Sequence, residues 1–597
     1  MRVANVLTSR LCFCNVMRSF SWAQRLALAV ALGFGVSPLG TADEALVSQA
    51  PRGHYDELYH PNGEIRPHYR GIVEVAREIS PTRVQRIERE TRRDFHKDYM
   101  LNPVPRILVS TEFDQYLRPG VDQRGRALRE FLLDFHRTQG QPRLVREGRM
   151  PQEVLDRIVA RNLETGLVGA VRDITFFYGP DVVRDPRGVF RVVEDNTGFL
   201  GGFGDLRLAL ESLERHVPEY NERLGRRLAE RDPMDFYRQL ASRYRSRAQG
   251  GRVVMLQIPP YADFEDRRVM RLMREAGIDV VTPHTRAQLQ FDGEGAWLIP
   301  SPGASREKVG FLALNGEHWW MDMHDPRMWP IAITEYAKLT EDEVRSKLRR
   351  QGEARLTRAE RDFLAVMSER DPRTGLPNLQ RLEGALRGMD DWQTLTEWKA
   401  KSYPGLLDAV LSGRVATNYS PGTNFVNDKE FYLYMEDVVR TYLAEEPILR
   451  NIRTEDAGER IGNRILPRTE FLNNVARERD RWVIKVVDGR GGSGIYVGAK
   501  ITQEEFERGL EEARREPWRY KIQEYTPLSV MGSQIVDLRI HSDVPPRGRV
   551  LVSDVPWGRS LPLQGDGKVN LSAQGRETTV IVRAAEPFCR MIFSRSH

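Results

Sequence analysis

At 597 residues, with 40% hydrophobic and 29% charged residues, the chain is long enough for about two to four domains with sizeable cores and has the composition of a soluble globular protein. Its 90 basic and 84 acidic residues leave a formal charge of +6 and a mixed surface; no Lys/Arg block is interleaved with aromatics, so a nucleic-acid partner is not expected. Three cysteines, Cys12, Cys14 and Cys589, exclude a disulfide framework and a cysteine zinc site.

The chain opens with Arg18 and Arg25 ahead of an apolar run, Leu26 to Val36, followed by Pro38, Gly40, Thr41 and Ala42. That is the layout of a secretory signal, and the run is too short for a membrane span; an over-extended start is the plainer alternative. From His54 to about Met100 the text is polar with helical spacing, and Ser80-Pro81 opens a helix with Val84, Ile87 and Phe95 on its apolar side. Gln123 to Phe135 and Pro151 to Leu163 read as further scaffold helices.

Phe176 to Gly204 changes character. Two short apolar strands, DVV and VFRVV, flank the turn Asp185-Pro186-Arg187-Gly188, and the second ends in Glu194-Asp195-Asn196. Strand alternation puts Glu194 and Asn196 on one face and Asp195 on the other, with Asp181 able to join the first face from across the hairpin. Two carboxylates and an amide oxygen suit a hard cation such as Mg²⁺, whereas an isolated EDN is more often a polar surface turn.

Arg252 to Thr282 reads as strand, helix and strand, a βαβ unit that predicts a parallel α/β subdomain, and it lacks a dinucleotide fingerprint. In GFLALNGEHWWMDMHDP, His318, Asp322 and His324 match no zinc spacing and read as ordinary polar residues; Thr340 to Asp390 reads as a solvated helical pair or linker. Next, RVATN and a Pro-Gly loop lead to a helix predicted to begin near Asn427-Asp428, with Lys429 in its first turn, where free N–H groups and the helix dipole favour an anion.

Trp482 to Gly498, WVIKVVDGRGGSGIYVG, is the most informative stretch: a strand, a glycine-dense loop and a second strand. Gly489, Gly491, Gly492 and Gly494 leave backbone N–H groups uncovered for phosphate oxygens, and Lys485, amid apolar neighbours, needs a partner such as a nucleotide phosphate. The loop does not open a helix as a Walker A loop would. Thr502 and Glu505 form a capping box, with Phe506, Leu510 and Ala513 on the buried face of the helix they start. Gln523-Glu524-Tyr525 ends a strand that could meet an adenine edge, and IVDLRIHS puts Asp537 and Arg539 on one strand face, where an arginine can pair with a transferring phosphoryl group or Asp537 can take an internal ion pair.

The order NDK, VIK, DGRGGSG, QEY and DLR resembles the nucleotide-binding half of the ATP-grasp fold. The metal-binding strand pair ending in Glu-x-Asn, which usually follows those elements, here precedes them, so the chain resembles the circularly permuted ATP-grasp type 2 family from about Tyr55 to Val582. The resemblance implies an α/β and α+β chain: a leader and linker over 1–50, a helical N-terminal region over 51–165, the permuted metal-binding half over 166–250, a parallel α/β pre-ATP-grasp-like subdomain with a charged helical insert over 251–425, and the nucleotide-binding half over 426–597. It implies ATP and Mg²⁺ as cofactors, Lys429 and Lys485 as phosphate lysines, Gly489, Gly491, Gly492, Ser493 and Gly494 as the flap, Gln523 and Glu524 on the adenine side, Asp181, Glu194 and Asn196 as Mg²⁺ ligands, and Arg539 at the reacting phosphate. Lys485 and Arg539 are its catalytic candidates.

The implied activity is ligation of a small-molecule carboxylate to an amine, of amino-acid or peptide type, through an acyl phosphate. Thr197 to Gly202 replaces the Pro-Ser-Gly turn usual after the EDN motif, and VNLSAQGRETTVIV, around Ser572, lacks two of the usual glycines; both departures bear on acceptor specificity. A non-catalytic nucleotide-binding protein and an exported member that does not use ATP stay open as alternatives, since ATP chemistry points to the cytoplasm and the leader to export.

Overall fold

The computed structural model describes residues 46–95, 99–170, 173–224, 228–257, 264–282, 285–316, 321–371, 374–461, 464–487, 489, 494–569 and 575–584. The leader run, His318, Gly491, Gly492, Ser493 and Ser572 lie outside them. In chain order the elements that build the site are helix α1 (Arg118–Arg137), strands β1 (Asp181–Arg184), β2 (Phe190–Glu194) and β3 (Arg252–Gln257), helix α2 (Phe264–Glu275), and strands β4 (Asp279–Val281), β5 (Glu307–Asn315) and β6 (Ala416–Thr417). They continue with helix α3 (Met435–Leu443), strands β7 (Arg450–Asn451), β8 (Thr454–Asp456), β9 (Trp482–Val486) and β10 (Ile495–Val497), helix α4 (Gln503–Arg515), and strands β11 (Tyr520–Glu524), β12 (Gln534–Arg539), β13 (Trp557–Pro562) and β14 (Arg576–Thr578).

One sheet takes the strands in the order β7-β2-β1-β12-β13-β14, so the hairpin written before residue 200 is inserted between strands written after residue 450. A local device closes that hairpin: the Asp185 carboxylate accepts from the backbone N–H of Arg187 and of Val189, both at 2.9 Å, and Gly188 takes the left-handed φ of 82° the turn requires. A second sheet, β8-β11-β9-β10, is entirely antiparallel, and the glycine loop joins its antiparallel neighbours β9 and β10, as the strand–loop–strand reading expects. Helix α4 covers it: Thr502 and Glu505 cap each other's orphan N–H groups, and Phe506, Leu510 and Ala513 are fully buried in this sheet's core.

The third sheet carries the expected βαβ unit, with β3 parallel to β4 and to β5, and β6 parallel to β5. Its hydrophobic strands are covered on both sides, as parallel sheets require. Asp322 accepts from the N–H of Gly405 and of Leu407 at the start of a short helix, a capping role, and among the described residues no group of three His, Cys, Asp or Glu is arranged to hold a metal. No helix among the described residues is long and apolar enough to cross a membrane.

Candidate active site

Strand register decides which charges meet. Glu194 on β2 is the cross-strand partner of Asp181 on β1, Asp181 of Arg539 on β12, and Arg539 of Trp557 on β13. Four residues from two distant parts of the sequence therefore form one row on one face of the sheet, and Asp537 and Arg559, also cross-strand partners, lie two positions along. Asp195, on the opposite face as alternation requires, is buried against Arg124 of α1 at 2.5 Å and receives the Tyr178 hydroxyl at 2.5 Å.

Asp181 is held by three guanidinium donors: Arg539 through Nε at 2.7 Å and Nη2 at 3.0 Å, and Arg559 through Nη2 at 3.0 Å. Burial alone would raise the Asp181 pKa, but the two arginines outweigh it and hold the carboxyl well below the usual range. Arg559 also forms a two-point pair with Asp537 at 3.0 and 2.7 Å. Burial and the neighbouring Asp181 charge push Asp537 up to about 6 in spite of that arginine. The internal ion pair anticipated for Asp537 therefore exists, with Arg559 as partner. Arg559 is a site residue the sequence does not single out; its only signal is a lone arginine in WGRSLP, whose significance depends on a register no local pattern reveals.

The antiparallel sheet supplies the other wall. Lys485 on β9 is 9% exposed and donates to the Val193 carbonyl of β2 at 3.3 Å. Burial pushes its pKa down to about 8; Glu194 and Asp181 oppose that shift and Lys429 adds to it. Lys429 donates to the Gly489 carbonyl at 2.7 Å and pairs with Glu194 at 3.0 Å. A cleft of about 550 Å³ between the sheets is lined by Asp181, Glu194, Asn196, Lys429, Lys485, Gly489, Gln523, Glu524 and Arg539 together. Gln523 is buried and donates its side-chain N–H to Thr454, whereas Glu524 is half-buried at the cleft edge.

The placement of Lys429 corrects the sequence expectation. It lies between two 3₁₀ turns, Asn424–Asn427 and Phe431–Tyr434, and the α-helix begins only at Met435. The reason is its neighbours. Asp428 is drawn to Arg161 at 2.9 and 3.0 Å, and Glu430, fully buried, to Arg157 at 2.5 Å, Arg161 at 2.6 Å and Lys521 at 2.9 Å. Lys521 also pairs with Asp456 of β8. Alternate residues of this segment are thus anchored in an internal ionic network, which leaves Lys429 to project into the cleft.

Two of the three expected oxygen donors fit a hard dication as they stand. Asn196 donates its amide N–H to the Gly179 carbonyl, which orients its Oδ1 as a free acceptor, and Glu194 has one carboxylate oxygen beyond its contact with Lys429. Asp181 would have to share its oxygens with Arg539 and Arg559.

A profile of circularly permuted ATP-grasp type 2 proteins matches residues 105–284 and 362–547. The chain belongs to this family. Among curated relatives of this ATP-grasp protein, a Frankia alni protein named "Putative glutamate--cysteine ligase 2-3" is 25% identical over 83% of this chain and 50% of its own length. An uncharacterised Synechocystis protein is 23% identical over 83% of this chain and 90% of its own. The chain therefore spans about half the length of the Frankia relative and nearly all of the Synechocystis one. A solved glutathione synthetase-like effector of Globodera pallida overlaps 80% of the chain and 89% of its own at 11% identity, with a TM-score of 0.40.

Proposed function

We propose that the chain is an ATP-dependent carboxylate–amine ligase that forms an amide or peptide bond through an acyl phosphate. One observation carries the reading: two lysines and an arginine line a single cleft with Glu194 and Asn196, in a chain of the ATP-grasp family. The volume of the cleft, about 550 Å³, suits a nucleotide with a small co-substrate.

In this reading a substrate carboxylate oxygen bonds to the γ-phosphorus of ATP as the bond to ADP breaks. The amine nitrogen then bonds to the acyl carbon, phosphate leaves and the amine gives up a proton. Lys429 and Lys485 bind the phosphate chain, and Arg539, with its geometry fixed by Asp181, offsets charge on the transferring phosphoryl group. Glu194 and Asn196 would hold Mg²⁺, which supplies Lewis-acid screening of the phosphate oxygens when bound. Walls from two sheets exclude the water that would hydrolyse the acyl phosphate. No nucleophilic side chain is needed.

The test is ADP release from the full chain with MgATP and a panel of amino acids and small carboxylic acids, with hydroxylamine added in place of the amine. The expected result is acid-dependent ADP and a hydroxamate derived from one class of acid. Tight ATP binding with no ADP from any acid and amine pair would leave a nucleotide-binding protein and overturn the ligase reading.

A further inference from the structure

One side of the main cleft has no part in holding the nucleotide. Glu265, the second residue of α2, lines it together with Phe199, Gly201 and Gly202. Its neighbour Asp266 is turned away from the cleft: it is buried and accepts from the Asn315 amide at 2.8 Å. Glu265 is half-buried, and its Oε1 accepts from the Gly204 N–H at 3.2 Å. The start of α2 favours the negative charge of a carboxylate in its first turn.

Chain geometry ties this carboxylate to Arg539, which lines the same cleft. The Gly201 carbonyl accepts from Arg539 Nη1 at 3.4 Å, and three residues later the Gly204 N–H donates to Glu265. Three residues reach no further than about 10 Å. The guanidinium and the carboxylate are therefore held at the two ends of one short turn. Phe199 stands two residues before Gly201, in the segment that departs from the usual Pro-Ser-Gly turn, and it is 41% exposed although it lines the cleft. An open aromatic ring and a carboxylate together suit an organic ammonium ion, the ring through its quadrupole and the carboxylate through its charge.

We propose that Glu265 and Phe199 receive the amine co-substrate as a primary alkylammonium ion, and that Glu265 takes the proton that frees its nitrogen for attack. The proposal rests on the ligase reading and assigns the amine of that reaction a place and a charge state. An ammonium nitrogen has no lone pair, so it must lose a proton before it can bond to carbon. That proton passes to the Glu265 carboxylate. The nitrogen lone pair then bonds to the acyl carbon, and the bond from that carbon to the phosphate oxygen breaks with its electron pair going to phosphate. The surplus proton on the new amide nitrogen passes to the departing phosphate, and Glu265 returns its own to solvent. The turn from Gly201 to Gly204 sets the spacing: the phosphoryl group lies at the Arg539 end, the ammonium at the Glu265 end and the acyl carbon between them.

Saturation-transfer NMR titrations of the full chain with propylamine and with 1-propanol, each with and without MgATP, read the ammonium site without turnover. At neutral pH propylamine is a cation, and it is expected to bind at least tenfold more tightly than the uncharged alcohol of the same length. Glu265→Gln keeps an acceptor for the Gly204 N–H but removes the charge, and should weaken propylamine at least tenfold; Glu265→Asp restores the charge and should recover part of that loss. Phe199→Leu, a change at an exposed side chain, tests the same site if the charge variant fails to fold, and should weaken propylamine about two- to fivefold. In turnover, an acid that yields a hydroxamate is supplied with propylamine and hydroxylamine together, the second being uncharged at this pH. The ratio of propylamide to hydroxamate should fall at least tenfold in Glu265→Gln. An unaltered ratio, propylamine bound no better than 1-propanol, or equal propylamine binding by the variants and the unmodified chain would overturn the assignment and leave Glu265 as a brace for Gly204. Absence of any hydroxamate from the unmodified chain tells against the ligase reading and not against the ammonium site, which the NMR titrations decide.

Discussion

A lysine in the middle of a buried strand must be held by something, and that requirement makes Lys485 legible from the amino-acid sequence alone. Its burial lowers its pKa to about 8 from an unfolded value of about 10.5, so between those pH values the unfolded chain binds the extra proton. Stability contributed by this site therefore rises with pH across that window, and below pH 8 the charged lysine is a net cost of up to about 3 kcal/mol. Lys485→Met is expected to stabilise the chain at pH 7, seen as a higher melting temperature, while lowering the rate of ADP release by about 10²–10³. In the unmodified chain, kcat/KM for ATP should fall about tenfold per pH unit above pH 8, as the free-enzyme lysine loses its charge. A steady-state pH profile measures that. Arg559 could not be found the same way, because an arginine in a strand is ordinary until its neighbours are known, and its partners Asp181 and Asp537 come from two other strands.

At the level of elements, the segment Asp428-Lys429-Glu430 shows why the sequence singles out a lysine that does line the cleft and yet points to the wrong local structure. Helix signals are present, but a buried network of Arg157, Arg161 and Lys521 around Glu430 overrides local propensity and holds the segment as a turn. Glu430→Gln removes the counter-charge of three cations, two of them buried, and is expected to cost about 3–5 kcal/mol in urea denaturation. With its anchor gone, Lys429 should lose its aim, and KM for ATP should rise at least tenfold. Gly202 is an equally tight element-level constraint: its φ is +87° and a Cβ there would lie 2.0 Å from the Trp557 ring. Gly202→Ala should cost about 2–4 kcal/mol through strain and overpacking, and should disturb Arg539, whose guanidinium lies 5.6 Å from the same ring; denaturation and ADP release would report the two effects separately.

Over the whole molecule, the permutation is an obligation as well as a rearrangement. β1 and β2 lie between β7 and β12, and the core that includes Phe176, Val182 and Val192 also includes Phe425, Leu449, Leu538 and Ile540. A chain ending at residue 425 would expose the β12 side of β1 and lack Leu449, Leu538 and Ile540 from that core, so it should fail to unfold cooperatively and should bind a hydrophobic dye, as circular dichroism melts and dye fluorescence would show. The βαβ unit, the hairpin, the capped helix and the strand–loop–strand are legible in the sequence because each is a local pattern of periodicity, turn residues and caps. The pairing of Asp181 with Arg539, across roughly 360 positions, is not, since register between distant strands depends on the whole sheet. Only the order of motifs, compared with the family's, hints that the two halves close on each other.

In the proposed ligase, the pair between Lys429 and Glu194 would tie two binding events into one exchange. A polyphosphate that captures Lys429 frees a Glu194 oxygen, and a dication that captures Glu194 frees Lys429, so each ligand removes the competitor of the other. Such reciprocity is a thermodynamic linkage: the factor by which ATP tightens Mg²⁺ must equal the factor by which Mg²⁺ tightens ATP. Lys429→Met should therefore bind Mg²⁺ more tightly than the unmodified chain when no nucleotide is present, and gain less from adding ATP. Calorimetric titration of the four states would draw that cycle, and a gain from ATP as large as in the unmodified chain would show that the exchange runs through another group.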